Sequence, residues 1–112
     1  MKRLREPAAT EPAFPDLDDL LQHRARLGAA VLLARHDRLS FSRLKELLTE
    51  TDGNLGANMR KLEDAGYVDV RKEFQDRRPV TWYGLSSKGR RVLSQHLAGL
   101  EQLIAHARQT SR

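Results

Sequence analysis

Hydrophobic residues recur at helical spacing in the first half of the chain, after an N-terminal stretch without such a pattern. Residues 1–15 hold three of the four prolines and alternating charges, which is typical of a flexible tail. From Pro15-Asp16 to about Arg35 apolar positions repeat every three or four residues, which predicts a first helix. Leu39-Ser40-Phe41 is predicted to be a short extended segment, and Ser42 can cap a second helix with leucines on one face.

The second half of the chain combines a capped helix, two alternating segments and a long last helix. Thr51 can cap a third helix, and Gly66 ends it at the position where a left-handed residue is favoured. Residues 67–71 and 80–85 alternate at period two, which predicts a hairpin with a polar tip between them. The pair Ser86-Ser87 can cap the last helix, in which apolar residues step by 4, 3, 4 and 3.

This order of elements predicts a mainly α-helical domain with a small β-hairpin. It is the order of a winged helix-turn-helix, in which the third helix enters the major groove of DNA. The hairpin, or wing, then lies over the neighbouring backbone or minor groove. We therefore expect residues 16–112 to form one winged-helix DNA-binding domain behind a flexible tail at residues 1–15.

The third helix carries small residues on the side that would face outward. If Leu55, Met59 and Leu62 face the core, Gly53 and Ala57 lie at the centre of the opposite, solvent-facing side of the helix. Small residues there would let the helix backbone approach the groove floor, while flanking amide and basic side chains pair with base edges or phosphates. The predicted contacts of this recognition helix are Thr51, Asp52, Gly53, Asn54, Ala57, Asn58, Arg60 and Lys61.

The net charge of the chain is +5, and the basic excess lies mainly in one segment. Residues 1–59 carry nine Lys and Arg against nine Asp and Glu, whereas residues 60–91 carry nine against five. A basic excess confined to one segment is typical of a surface that faces a polyanion. The wing residues Arg71, Lys72, Arg77 and Arg78 belong to this segment, and we expect them to contact the DNA backbone or minor groove.

The same features have interpretations that do not involve DNA. A charged hairpin tip can serve solubility, a basic face can be merely solvated, and Asn58 can be an exposed residue of a turn-rich helix start. Gly56, on the flank of the third helix, is expected to pack closely on the second helix. The alternative function is a winged-helix module that binds other proteins without DNA, and the basic wing argues against it.

The last helix, about residues 87–109, is predicted to form a dimer interface together with the first helix. The first helix contributes Leu20 and Leu27, and the last contributes a heptad-like seam of Leu93, Leu97, Leu100 and Ile104. A helix that only covered its own domain would show a similar stripe, so that alternative stays open. His23 and His96 are interpreted as interface residues, because neither pair of helical histidines has the spacing of a metal site.

Composition removes several classes of function. The chain has no Cys, which excludes disulfides, thiolate metal sites and thiol redox sensing. No apolar run approaches the roughly 18 residues of a membrane span, and the N-terminus lacks the apolar core of a secretory signal, so a cytoplasmic location is expected. No phosphate loop or nucleophile motif occurs and the acids are scattered, so we expect no enzymatic activity, no catalytic residue, no metal and no cofactor.

The sequence also resembles a known family of regulators. The run FSRLKELLTETDGNLGANMRKLEDAGYVDVRKEFQDRRPVTWYGLSSKGRRVL, residues 41–93, closely resembles the small MarR/ArsR-like winged-helix transcriptional regulators. The upstream run LDDLLQHRARLGAAVLLA resembles their first helix, so the similarity covers roughly residues 17–104. Members often carry a Ser and a His where this chain has Gly56 and Asn58, and the operator sequence therefore does not carry over.

The resemblance implies the partners and the action of the protein. It implies a homodimer that binds double-stranded DNA at a pseudo-palindromic operator, without enzymatic activity, and the expected action is repression by occluding a promoter. A small-molecule effector, if the chain has one, would bind in a pocket that the dimer encloses. A chain this short, with 5% aromatic residues, leaves little room for a pocket of its own.

Overall fold

A computed structural model describes residue 4 and residues 13–109 of the chain. The elements follow in the order of a short 3-10 helix (Leu20–Gln22), α1 (Arg24–Arg35), β1 (Leu39–Ser40), α2 (Phe41–Leu48), α3 (Asp52–Asp64), β2 (Val68–Gln75), β3 (Arg78–Leu85) and α4 (Ser87–Gln109). Four helices and a small three-stranded antiparallel sheet make the mainly helical winged-helix fold that the sequence predicts. Most of the tail predicted at residues 1–15 lies outside the described residues.

Side-chain caps decide where the helices begin. Thr51 Oγ1 accepts a hydrogen bond from the backbone N of Asn54 at 3.1 Å, and Ser86 Oγ accepts one from Gly89 N at 2.9 Å, as the sequence predicts. The cap predicted for α2 was wrong, because Ser40, and not Ser42, accepts the hydrogen bond of a first-turn backbone N. Gly66 ends α3 with a φ of 78°, which is the left-handed conformation expected of it.

The first α-helix begins later than the apolar spacing suggested. The predicted start at Pro15-Asp16 was wrong: the 3-10 turn at Leu20–Gln22 comes first, and His23 has an extended backbone that separates it from α1. The His23 side chain caps α1 by accepting a hydrogen bond from the backbone N of Ala25 at 3.2 Å. Apolar spacing alone does not distinguish a continuous helix from a turn followed by a helix.

The wing is a regular hairpin that extends well beyond the core. The sheet order is β1-β3-β2, and β2 pairs with β3 in a register that sets Val68 opposite Leu85 and Gln75 opposite Arg78. The two residues of the turn, Asp76 and Arg77, both have positive φ, which defines a type I′ turn. Such a turn matches the twist of the strands, so the hairpin stays paired up to its tip.

The core lies between the helices and the base of the wing, and α4 packs on it with its first half. The largest fully buried side chains are Leu21, Leu33, Leu44, Leu55, Met59 and Leu62. Gly89 at the start of α4 comes so close to the backbone carbonyl O of Tyr67 that an added Cβ would lie 2.1 Å from it. Gly89, Leu93, His96 and Gly99 form the buried side of α4. This packing fixes α4 against the junction between α3 and β2.

Candidate nucleic-acid interface

The outer face of α3, defined by Thr51, Asp52, Gly53, Asn54, Ala57, Arg60 and Lys61, is exposed as predicted. A Cβ added at Gly53 would meet no atom within 4 Å, and Gly53 has no positive φ. Neither packing nor backbone conformation therefore requires a glycine at this position.

Asn58 does not belong to this outer face. Its prediction as an outward base contact was wrong, because its side chain is buried, with 8% of its surface exposed. Its Oδ1 accepts a hydrogen bond from Arg26 Nη1 at 2.6 Å, and its Nδ2 donates to the backbone O of Asn54 at 2.8 Å. The helical wheel explains the correction, since a residue three positions after Leu55 lies only about 60° from it. Asn58 ties α3 to α1 and holds no free amide toward DNA.

The acidic residue of the outer face is neutralised by its neighbour. Asp52 Oδ1 lies 2.9 Å from Lys45 Nζ of α2, with the Asp52 side chain 76% and the Lys45 side chain 43% exposed. A lone carboxylate in the first turn of α3 would repel DNA phosphates, and the ammonium beside it offsets part of that repulsion. The first two turns of α3 therefore offer DNA a nearly neutral, shallow surface.

A groove of about 360 Å³ separates α3 from the wing. It is lined by Phe41, Gly56, Arg60, Glu63, Val70, Lys72, Thr81 and Tyr83. The close packing of Gly56 on α2 that the sequence suggested was wrong, because an added Cβ would meet nothing within 4 Å and the residue borders this groove. Burial, followed by the charge of Glu63 and against the opposing effect of Arg60, raises the pKa of Tyr83. Arg60 of α3 and Lys72 of the wing line the same groove.

The wing has two faces with different surroundings. On one face Val70 and Tyr83, a directly opposed pair, line the groove beside α3, followed outward by the pair Lys72 and Thr81. On the other face the guanidinium of Arg38 stacks over the ring of Trp82 at 4.1 Å. The predicted wing contacts Arg71, Lys72, Arg77 and Arg78 are all exposed. The structure thus brings Lys72 to the groove beside α3, and Arg71 lies on the opposite face with Trp82.

Of the seam predicted on α4, one residue belongs to the core and the others do not. Leu93 is only 4% exposed and packs inside its own domain, so its assignment to a dimer interface was wrong. Leu97 and Ile104 are 36% and 50% exposed, and Leu100 is half-buried. Leu20 and Leu27 are half-buried against the core of their own chain. The exposed apolar positions of α4 therefore lie from Leu97, near its middle, onward.

The two histidines interpreted as interface residues have structural roles within the chain. His96 is 2% exposed, and its Nδ1 accepts a hydrogen bond from the backbone N of Asp18 at 2.9 Å. The Tyr67 hydroxyl donates to Asp18 Oδ1 at 2.6 Å. Burial, followed by this hydrogen bond, raises the pKa of Tyr67 to about 12. His96 thus fastens the N-terminal segment to α4, while His23 caps α1.

Within residues 13–109 no helix is both long and apolar enough to cross a membrane. The same described part of the chain contains no cluster of three or more His, Asp or Glu side chains that could hold a metal ion.

An exposed helix with a bare outer face beside a basic wing defines the class of winged helix-turn-helix DNA-binding proteins. The chain belongs to the family described as the winged helix DNA-binding domain, whose model matches residues 25–104. An uncharacterized protein of Methanocaldococcus jannaschii, MJ0432, is 33% identical over 78 residues, which are 70% of this chain and 85% of the relative.

Solved structures of transcriptional regulators share the fold. A transcriptional regulator homologue protein from Pyrococcus horikoshii OT3 superimposes with a TM-score of 0.74 at 30% identity, over 79% of this chain and 87% of that chain. A MarR-family transcriptional regulator from Silicibacter pomeroyi is similar in fold, with a TM-score of 0.59 at 21% identity over 83% and 66% of the two chains. The family is that of a DNA-binding domain, and these two neighbours are transcriptional regulators.

Proposed function

We propose that this protein is a sequence-specific regulator of transcription that binds double-stranded DNA as a homodimer. The observation that carries the proposal is the groove in which Arg60 of α3 and Lys72 of the wing face a common space. A DNA backbone that separates a major groove from the next minor groove would occupy this space when α3 enters the major groove. Arg60 and Lys72 then contact its phosphates from both sides.

The outer face of α3 supports the specific part of the proposal. Gly53 and Ala57 allow the helix backbone to approach base edges, and the exposed amide of Asn54 can pair with adenine. Thr51, Asp52 and Lys61 flank this contact, and Arg77 and Arg78 extend it at the tip of the wing. In this division of tasks α3 reads the sequence, and the wing adds affinity for any duplex.

The second half of α4 supports the homodimer. Leu97, Leu100 and Ile104 are spaced by three and four residues, which is the seam spacing of a helix that pairs with another helix. Leu97 and Ile104 leave much of their surface in water in the single chain. A second copy would cover them and set two α3 helices against half-sites one turn of DNA apart. Such a dimer would repress by occluding a promoter, and an effector would act through the space that it encloses.

Selection of duplexes from a random-sequence library by the full-length protein tests this function. The expected result is an enriched site with approximate two-fold symmetry, bound with an affinity that falls steeply as salt is raised. A module that binds only proteins would enrich no sequence and would show no salt-dependent retention on duplex DNA. That outcome would replace the proposal with the alternative of a protein-interaction module.

The dimer has its own test in solution. Replacing Leu97 and Ile104 with Glu should convert the dimer into a folded monomer in sedimentation, because both side chains are exposed in the single chain. Replacing Glu101, an exposed residue of the same helix, with Gln is the control and should leave the dimer intact. An unaltered dimer in the Leu97 and Ile104 variant would remove α4 from the interface.

A further inference from the structure

The wing carries one large hydrophobic residue that nothing in its own chain covers. Phe74 is 80% exposed, in a chain whose residues are only 5% aromatic. It lies opposite Pro79 in the hairpin register, so the two exposed apolar side chains share one face of the tip. Neither residue packs on the core, which ends at Val70 on this strand. The folded chain alone gives no reason for a phenylalanine at this position.

The register also shows which way Phe74 faces. Side chains two residues apart on a strand lie on the same face, so Phe74 continues the row of Val70 and Lys72. Val70 and Lys72 both line the groove between the wing and α3. Phe74 lies two residues, or about 7 Å, farther out than Lys72 on that same face. It is therefore turned toward the side of the wing where DNA held by α3 would lie.

The surroundings of Phe74 are strongly basic. Lys72 precedes it by two residues on the same face, Arg77 follows in the turn, and Arg78, which pairs with Gln75, lies on the opposite face of the tip, all with exposed side chains. The nearby acidic side chains are Glu73, which is 3.6 Å from Arg38 on the other face, and Asp76 in the turn. An apolar side chain beside Lys72 on its own face, at a tip that also carries Arg77 and Arg78, fits a partner that combines negative charge with apolar walls. The minor groove of DNA is such a partner, because sugars line it and phosphates border it.

We propose that Phe74, backed by Pro79, makes an apolar contact with the sugars of the minor groove next to the major groove that α3 enters. This contact rests on the proposed function and adds a nonionic component to a wing that otherwise binds through charge. The type I′ turn at Asp76 and Arg77 keeps the strands paired to the tip, so the backbone at Phe74 is ordered before DNA binds. The contact therefore requires little ordering of the wing on binding.

The test compares Phe74→Ala with Gln75→Ala, which removes the neighbouring side chain from the opposite face of the hairpin. Both variants are titrated, by fluorescence anisotropy, with a duplex that the full-length wild-type protein has enriched from a random-sequence library. Phe74→Ala should weaken binding about tenfold, as expected for uncovering a buried aromatic side chain, with an unchanged slope of log K against log salt. Gln75→Ala should bind within about twofold of wild type, and Phe74→Leu should keep most of the affinity.

Hydroxyl-radical footprinting then locates the contact. The sugars at the outer edges of the site should be protected by the wild-type protein and by Gln75→Ala, and become unprotected in Phe74→Ala only. Sedimentation and thermal unfolding should be unchanged for Phe74→Ala, because its side chain is exposed in the single chain.

Different failures of this experiment point to different errors. Wild-type affinity of Phe74→Ala, or unchanged sugar protection, would overturn the contact while leaving the proposed function standing. A flattened salt slope would mean that Phe74 only positions the arginines, and a loss of the dimer would mean that it contacts the second copy. Either result would also overturn the contact. A wild-type protein that binds no duplex would overturn the proposed function and the contact together.

Discussion

α3 and the wing each contribute a cation to the groove between them, but the first two turns of α3 and the tip of the wing differ in size and charge. The first two turns of α3 carry small side chains, and the carboxylate of Asp52 is paired with Lys45. The wing carries Lys72, Arg77 and Arg78 on a hairpin that stays paired to its tip and extends past the core. In the proposed function, the small side chains of α3 would let DNA come close, whereas the wing would reach the DNA with charged side chains. The proposal thus assigns sequence recognition to α3 and affinity for any duplex to the wing.

A larger side chain on the outer face of α3 should have the largest effect on DNA binding. Ala57→Leu places a large side chain on an exposed helical position, so the free protein should keep its fold and its stability. On DNA the same side chain would hold α3 away from the base edges, and specific binding should fall at least about a hundredfold. Titration of the selected duplex, with urea unfolding in parallel, measures both quantities.

Ala57→Ser is the matched control for this variant, because it changes the polarity of the position with little change in volume. It should bind within about threefold of wild type. A folded, dimeric Ala57→Leu protein that binds its site with wild-type affinity would show that α3 does not enter the major groove.

Loss of charge from the wing should have a smaller and more uniform effect. Replacing Arg77 and Arg78 with Ala should lower affinity about tenfold to a hundredfold for specific and random duplexes alike. The slope of log K against log salt should flatten by about 0.9 for each phosphate that a subunit no longer neutralises. Affinities at four salt concentrations, for both kinds of duplex, provide the slopes.

Arg91→Ala, which removes an exposed charge from α4, is the control and should leave the salt slope unchanged. A variant of Arg77 and Arg78 with altered sequence preference but an unaltered slope would mean that the wing reads bases.

Replacing the two asparagines of α3 should affect different properties, the stability of the fold for Asn58 and the discrimination between DNA sites for Asn54. Asn58→Ala removes the partner of the Arg26 guanidinium and of the Asn54 carbonyl, so it should lower the free energy of unfolding by about 1.5–3 kcal/mol. Asn54→Ala removes an exposed side chain at the outer face, so stability should hold while discrimination between sites weakens by about 1–3 kcal/mol. Urea unfolding and competition titrations distinguish the two outcomes. Unchanged stability of Asn58→Ala would contradict its structural role.

The sequence predicts the order of elements, the caps at Thr51 and Ser86 and the small residues of α3, because each depends on local spacing or on local hydrogen bonds. The sequence does not predict hydrogen bonds between side chains and residues that are far apart in the chain. Asn58 bonds to Arg26, 32 residues away, and His96 bonds to Asp18, 78 residues away. No periodicity encodes such pairs. Polar type alone therefore assigned Asn58 to the DNA, although its place on the wheel already favoured burial.

The sequence pattern made no assignment for Phe74, because the alternation predicted a strand only at residues 67–71. The structure extends β2 to Gln75, and the register places Phe74 beyond Val70 and Lys72, where the core has ended. Leu93 and Leu97 illustrate the same limit on α4. Their spacing is that of one stripe, yet Leu93 belongs to the buried core and Leu97 is 36% exposed.

The smallest difference in DNA affinity is expected between alanine variants of Gly53 and Gly56, the two glycines of α3. Each lacks a positive φ and has free space around an added Cβ, so Gly53→Ala and Gly56→Ala should each stabilise the fold by up to about 1 kcal/mol. Gly53 lies on the outer face of α3, where even a methyl group reduces the approach to DNA, and its variant should bind the specific site about threefold to tenfold more weakly. Gly56 borders the roomy groove beside the wing, so its variant should gain stability and keep its affinity. Equal affinities for the two variants would mean that α3 tolerates a methyl group at its outer face, and that only larger side chains, such as a leucine at position 57, keep it from the bases.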